Sequence, residues 1–140
     1  MLAAFPLLAL PVALYNLLML TAPGGVASAG AASRLTTPLM HLRMASHADW
    51  PITLSDVILA GSLLILFAEL LKSAGSRGVA IVNHGLSLVL FVLCLVEFLL
   101  LPAFATSTFF LVSLMVVLDV LAGFIVTVIA ARRDIDFHAN

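Results

Sequence analysis

The stretch LILFAELLKSAGSRGVAIVNHGLSLVLF, residues 64–91, decides the fold because it joins two long apolar runs through one short polar turn. A connection as short as SAGSRG is typical of neighbouring antiparallel helices. Each run nevertheless holds an ionisable side chain, Glu69 in the first and His84 in the second. Such residues are costly inside a membrane and mark either helix contacts or functional sites there.

The composition is that of an integral membrane protein. Of the 140 residues, 64% are hydrophobic and 9% are charged, whereas soluble domains carry about 25% charged residues. The formal net charge of −1 provides no basic patch, which argues against nucleic acid as a partner. The single cysteine, Cys94, excludes an intramolecular disulfide.

Four apolar runs are long enough to cross a bilayer, which takes about 20 residues each. They predict an all-α integral membrane protein, a four-helix transmembrane bundle in a single domain. The helices are expected at about 1–21, 54–71, 79–101 and 107–131. The first run lacks a basic start and is long for a signal peptide, so we expect a retained helix, bent or weakened at Pro6 and Pro11.

Residues 22–53, between the first and second helices, are expected to form an extramembrane loop. The short runs LMHLRM and WPITL flank the turn-like SHAD, a pattern that predicts a small β-hairpin on the membrane surface. Trp50 would then lie at headgroup level. One helix, an outer β-rich loop and three closely linked helices resembles claudin-like topology. The cysteine pair of that loop is absent here, so the resemblance implies no site residue.

Basic residues near the helix ends predict the orientation, and together with Trp50 they are the expected interface anchors. The set expected at the cytoplasmic side is Lys72, Arg77, Arg132 and Arg133. Arg34 and Arg43 are spread over the long loop on the other side. Both termini are therefore expected in the cytoplasm. The short loops and tails favour the bacterial inner membrane.

Three ionisable residues are expected at nearly one depth, given a helical rise of about 1.5 Å per residue. We call Glu69, His84 and Asp119 the inner polar layer. Each falls on or beside a face of small and polar residues, which is typical of a bundle interior. Asn16 and Glu97 form a second, outer polar layer. Lys72 and His84 are the expected partners of Glu69, whereas Asp119 is expected to be neutral or bonded to His84, Asn83 or water.

The inner polar layer has three interpretations. Polar contacts between membrane helices often only hold helices together, at about 0.6 kcal/mol each. The same residue types also line proton and cation paths. A metal site is weakly indicated, because no ligand pair has helical i, i+3 or i+4 spacing. A haem is disfavoured because no second histidine lies inside an apolar run. We expect no metal and no cofactor.

The sequence predicts a structural or accessory subunit rather than an enzyme. It carries no nucleophile–base pair and no cofactor fingerprint. Small residues permit close helix approach at Ala60, Gly61, Ala122 and Gly123. The expected partners are the lipid bilayer and other membrane subunits or copies of the chain. The alternative is a small proton- or cation-handling transporter that uses the inner polar layer.

Overall fold

The computed structural model describes the backbone at residues 5–73 and 77–138, and the side chains at 5–72, 82–125 and 128. Short 3-10 turns connect several of the elements. The helices and strands are α1 Ala9–Leu20, α2 Ser33–Thr36, β1 Pro38–Arg43, β2 Asp49–Thr53, α3 Leu54–Ser73, α4 Arg77–Leu100 and α5 Ser107–His138.

Three of these helices are long and apolar enough to cross a membrane. The spans are Leu54–Lys72 in α3, Val82–Leu100 in α4 and Ser107–Ile125 in α5. They are consistent with a chain that resides in a membrane, and they lie within the last three predicted helices. Helix α5 runs to His138, beyond the predicted end at about 131. The predicted hairpin is also present, as an antiparallel pair of β1 and β2.

The first predicted helix is shorter than expected. Of the run 1–21, α1 covers Ala9–Leu20, 12 residues; at about 1.5 Å per residue it rises about 18 Å, less than the bilayer core of about 30 Å. The count of four spans is therefore not confirmed. The late start of α1 is due to Pro6, which lies in the turn before the helix. Pro11 falls within the first helical turn, where its missing N–H leaves no bond broken, so it does not shorten the helix. Residues 1–4 lie outside the described residues.

Helix α5 is the centre of the bundle. It packs most extensively against α4 and next against α3. Helix α1 is fixed near its middle by Tyr15, whose ring centroid lies 5.4 Å from that of Phe104 and 4.8 Å from that of Phe109. The Tyr15 hydroxyl also donates to the Ala103 carbonyl at 3.2 Å and shares a 2.7 Å hydrogen bond with Thr106. This buried cluster joins α1 to the α4–α5 connection.

Strand β2 continues into α3 without a linker, since Thr53 ends the strand and Leu54 begins the helix. Thr53 and Asp56 form a capping box at this junction. The Asp56 carboxylate accepts the Thr53 N–H at 2.8 Å, and the Thr53 hydroxyl accepts the Asp56 N–H at 3.3 Å. These reciprocal bonds satisfy free N–H groups of the helix start and fix the direction in which the hairpin leaves the bundle.

Candidate functional site

The inner polar layer is buried where α3, α4 and α5 meet. Glu69 and Asp119 have no exposed surface and His84 is 9% exposed. Asn83 and Ser87 of α4 are buried beside them. Because the residues at 83, 84 and 87 recur at helical spacing, one side of α4 presents all three polar groups to its neighbours. The layer is thus a continuous polar region inside an apolar bundle.

Glu69 bonds to side chains of α3 and α4 and to the backbone before α1. Its Oε1 is 2.7 Å from Lys72 Nζ and accepts a hydrogen bond from Asn83 Nδ2 at 2.5 Å. Its Oε2 accepts the Leu7 N–H at 2.6 Å, next to the start of α1. A carboxylate is favourable there because the N-terminus of a helix carries partial positive charge. Glu69 therefore ties α1, α3 and α4 together.

Lys72 bonds to groups of three segments. It is 23% exposed, and in addition to the Glu69 pair its ammonium donates to the Phe5 carbonyl at 2.7 Å and to Asn83 Oδ1 at 3.1 Å. The expected Lys72–Glu69 pair is thus present. The side chains of the other expected cytoplasmic anchors, Arg77, Arg132 and Arg133, lie outside the described residues.

The second half of the inner polar layer is only partly bonded. Asp119 Oδ2 accepts a 2.6 Å hydrogen bond from the Ser87 hydroxyl, which is itself 3.1 Å from the Asn83 carbonyl. Within the described part of the chain, Asp119 Oδ1 and both ring nitrogens of His84 are buried without a hydrogen-bond partner. A buried polar atom left unpaired costs about 1–3 kcal/mol. This half is therefore suited to take up a water molecule or a proton.

The His84 ring lies directly against the backbone of Gly123. A Cβ atom at Gly123 would overlap Cγ, Cδ2 and Nδ1 of the imidazole. Along α5, Gly123 lies one helical turn after Asp119. Along α4, His84 lies nearly one turn before Ser87. Ser87–Asp119 and His84–Gly123 are thus successive contacts along the α4–α5 interface. Of the small residues expected to permit helix approach, Gly123 does so within the chain.

The other small residues have different surroundings. Ala60 is exposed, and a Cβ at Gly61 would meet no atom within 4 Å. Ala122 is partly buried. Ala60 and Gly61 therefore leave a smooth, uncovered strip on α3 rather than an internal helix contact.

The outer polar layer consists of one bonded pair. Asn16 Nδ2 donates to Glu97 Oε2 at 3.2 Å and to the Val12 carbonyl at 3.2 Å. Glu97 is 9% exposed, and both residues of the pair line an open groove of about 500 Å³ between α1 and α4. A second groove, between α1 and α3, measures about 300 Å³, and a third of about 280 Å³ lies on α4 and α5. None of these three linings includes a member of the inner polar layer.

Two backbone groups of this site were not predicted from the sequence. The Phe5 carbonyl and the Leu7 N–H complete the bonds of Lys72 and Glu69, although both belong to a segment predicted as helix. Pro6 was the available signal, because a helix that cannot include it leaves free backbone groups near the N-terminus. Of the two expected partners of Glu69, Lys72 is present and His84 is not. Asn83 is the further side-chain partner of Glu69, and Ser87 is bonded to Asp119.

The described residues contain no group of three or more His, Cys, Asp or Glu side chains that could hold a metal ion. Comparison of the chain with protein-family models, with curated proteins and with solved structures gave no match. The claudin-like order of elements therefore remains a resemblance in topology.

Proposed function

We propose that the chain is a small structural or accessory subunit that packs in a larger membrane complex or in a homo-oligomer, and not an enzyme. The observation that carries the proposal is the pair of open grooves along α1. Helix α1 has only limited contact with α3, α4 and α5, and a groove runs along each of its sides. Neighbouring membrane helices, one in each groove, would fill them.

The strip on α3 supports the same proposal. Gly61 lines the α1–α3 groove together with Leu14, Val57 and Ile65. Small residues let helix backbones approach closely in membranes. Since Ala60 is exposed and a Cβ at Gly61 would meet no atom within 4 Å among the described residues, we propose that they receive a helix from another subunit or another copy.

The bonds of Glu69 fit a static role. A pathway residue has to exchange its partners, whereas Glu69 has an ammonium, an amide and a backbone N–H around one carboxylate. We propose that this set fixes α1 in the bundle as its fourth helix. The proposed location is the bacterial inner membrane with both termini in the cytoplasm, on the basis of the basic residues near the helix ends.

Filling the α1–α3 groove tests the proposal. Gly61→Phe should still fold, because its Cβ meets no atom within 4 Å, but the ring should exclude the neighbouring helix. We expect the assembled fraction, measured by native mass spectrometry of protein extracted in lipid nanodiscs, to fall at least several-fold. Leu64→Phe is the matched control, since Leu64 is 71% exposed on the same helix and absent from the groove lining. Equal assembly of both variants would contradict the proposal.

A second candidate function is proton or cation handling, and the unpaired atoms of Asp119 and His84 favour it. Asp119→Asn would then reduce proton flux into liposomes, measured with an enclosed pH-sensitive dye, to the protein-free level. Ser113→Ala on the same helix should retain the flux, because Ser113 bonds the Phe109 carbonyl away from the layer. Under the accessory function, the unmodified chain conducts no better than protein-free liposomes. That result would exclude transport by the isolated chain.

A further inference from the structure

The hairpin has one apolar face and one polar face. Paired residues in an antiparallel ladder share a face, and successive residues alternate between faces. The register pairs Met40 with Ile52 and Leu42 with Trp50, and on the other face His41 with Pro51 and Arg43 with Asp49. One face is therefore wholly apolar, and the other carries the titratable and charged groups.

The apolar face is uncovered. Met40 is 55% exposed, Leu42 is 43% exposed and Trp50 is 47% exposed. Beyond the pairing of its own strands, the hairpin's main contact is with α3, at the point where β2 runs into that helix. An isolated two-stranded hairpin is at best marginally stable in water and needs a surface for its apolar face.

We infer that this face docks on the lipid headgroup region of the bilayer, with the hairpin lying along the membrane surface at the start of α3. The occupant follows from the position of α3. Its membrane span begins at Leu54, the residue directly after β2, so the hairpin leaves the bundle where a membrane-spanning helix begins. The Thr53–Asp56 capping box fixes this junction.

A Trp50 at headgroup level requires a tilted hairpin. Trp50 precedes Thr53 by three residues, which is about 10 Å of strand. A headgroup layer is only about 5–8 Å thick on each side of the hydrocarbon core. An upright hairpin would place Trp50 beyond the headgroups, whereas a hairpin lying on the surface would place it among them, where tryptophan is enriched.

The opposite face of the hairpin is polar and exposed. His41 Nδ1 lies 3.0 Å from Asp49 Oδ2, both side chains are more than half exposed, and Arg43 is the cross-strand partner of Asp49. The hairpin thus places its apolar face toward lipid and its ionisable groups toward solvent. This inference goes beyond the proposed function, and a chain with a solvated hairpin would leave that proposal intact.

The fluorescence of Trp50 measures where its side chain lies, because it is the only tryptophan in the chain. The full chain is reconstituted in phosphatidylcholine vesicles, with iodide supplied on both sides of the bilayer. We expect lipids brominated near the headgroup to reduce Trp50 emission by roughly half, as for an interfacial indole, and we expect iodide quenching to be several-fold weaker than for free tryptophan amide. Full iodide quenching without lipid quenching would overturn the inference, and so would protection from both quenchers.

Paired variants separate the two faces. Met40→Ser with Leu42→Ser should weaken quenching by the brominated lipid, because the face loses its apolar side chains. His41→Ser with Arg43→Ser alters the same strand on the polar face and should leave lipid quenching unchanged. Equal effects of the two double variants would contradict a specific apolar docking face.

Discussion

Glu69→Ala is expected to lower the free energy of unfolding by about 3 kcal/mol, the cost of removing one partner of a buried ion pair. The substitution leaves the Lys72 ammonium, which is 23% exposed, without its carboxylate and frees the Asn83 amide and the Leu7 N–H. It also removes the contact that holds the start of α1 against α3. Denaturant titration in mixed micelles, followed by far-ultraviolet circular dichroism, measures the change.

Two further variants identify the cause of that loss. Glu69→Gln keeps the side-chain length and one acceptor oxygen without the charge and should cost less than Glu69→Ala. Combining Glu69→Gln with Lys72→Met removes both charges, and replacing a buried ion pair by neutral groups is often nearly neutral. We therefore expect the double variant to recover part of the stability. A change below about 1 kcal/mol for Glu69→Ala would mean that the pair behaves like an exposed one.

Gly123→Ala is expected to destabilise the protein by about 1–3 kcal/mol, the usual cost of overpacking a filled interior. The new Cβ would overlap the His84 ring near its attachment point, so the ring cannot avoid it by a small rotation of its far end. The α4–α5 interface would have to open, and with it the Ser87–Asp119 hydrogen bond. The same denaturant titration measures this loss.

The control is another helical glycine. Gly85→Ala adds a Cβ that meets no atom within 4 Å and should stabilise α4 by up to about 1 kcal/mol, because alanine has the higher helix propensity. Combining His84→Ala with Gly123→Ala should restore much of the stability, with a coupling energy of about 0.5–3 kcal/mol for residues in contact. Additive effects of these two substitutions would show that the contact does not carry the destabilisation.

Hydropathy was sufficient to predict the long helices, since an apolar run of spanning length has few alternatives to a membrane helix. The predicted helix at 54–71 corresponds to α3, Leu54–Ser73, and the hairpin was predicted from two short runs around a turn. The extent of α1 was not predicted, although Pro6 and Pro11 were recognised. A proline in the first helical turn breaks no helical hydrogen bond, whereas a proline just before that turn determines where the helix begins. Hydropathy does not distinguish these cases.

Depth and helical period placed Glu69, His84 and Asp119 in the same buried region, and Lys72, three residues after Glu69, was correctly expected as its partner. The remaining partners depend on side-chain direction and on nearby backbone. Lys72 also bonds the Phe5 carbonyl and the Asn83 amide oxygen, and neither contact has a signal in the hydropathy pattern. His84 packs against the backbone of Gly123. This is a steric contact, and no charge pattern in the sequence indicates it.

The proposed assembly would be visible in the mass of the wild-type species released from its native membrane. Native mass spectrometry of membrane vesicles, without prior detergent exchange, gives that mass. We expect a species of defined stoichiometry that contains further protein subunits or further copies of the chain. Release of a single chain carrying only lipid, at every laser or collision energy used, would rule out an accessory or oligomeric role.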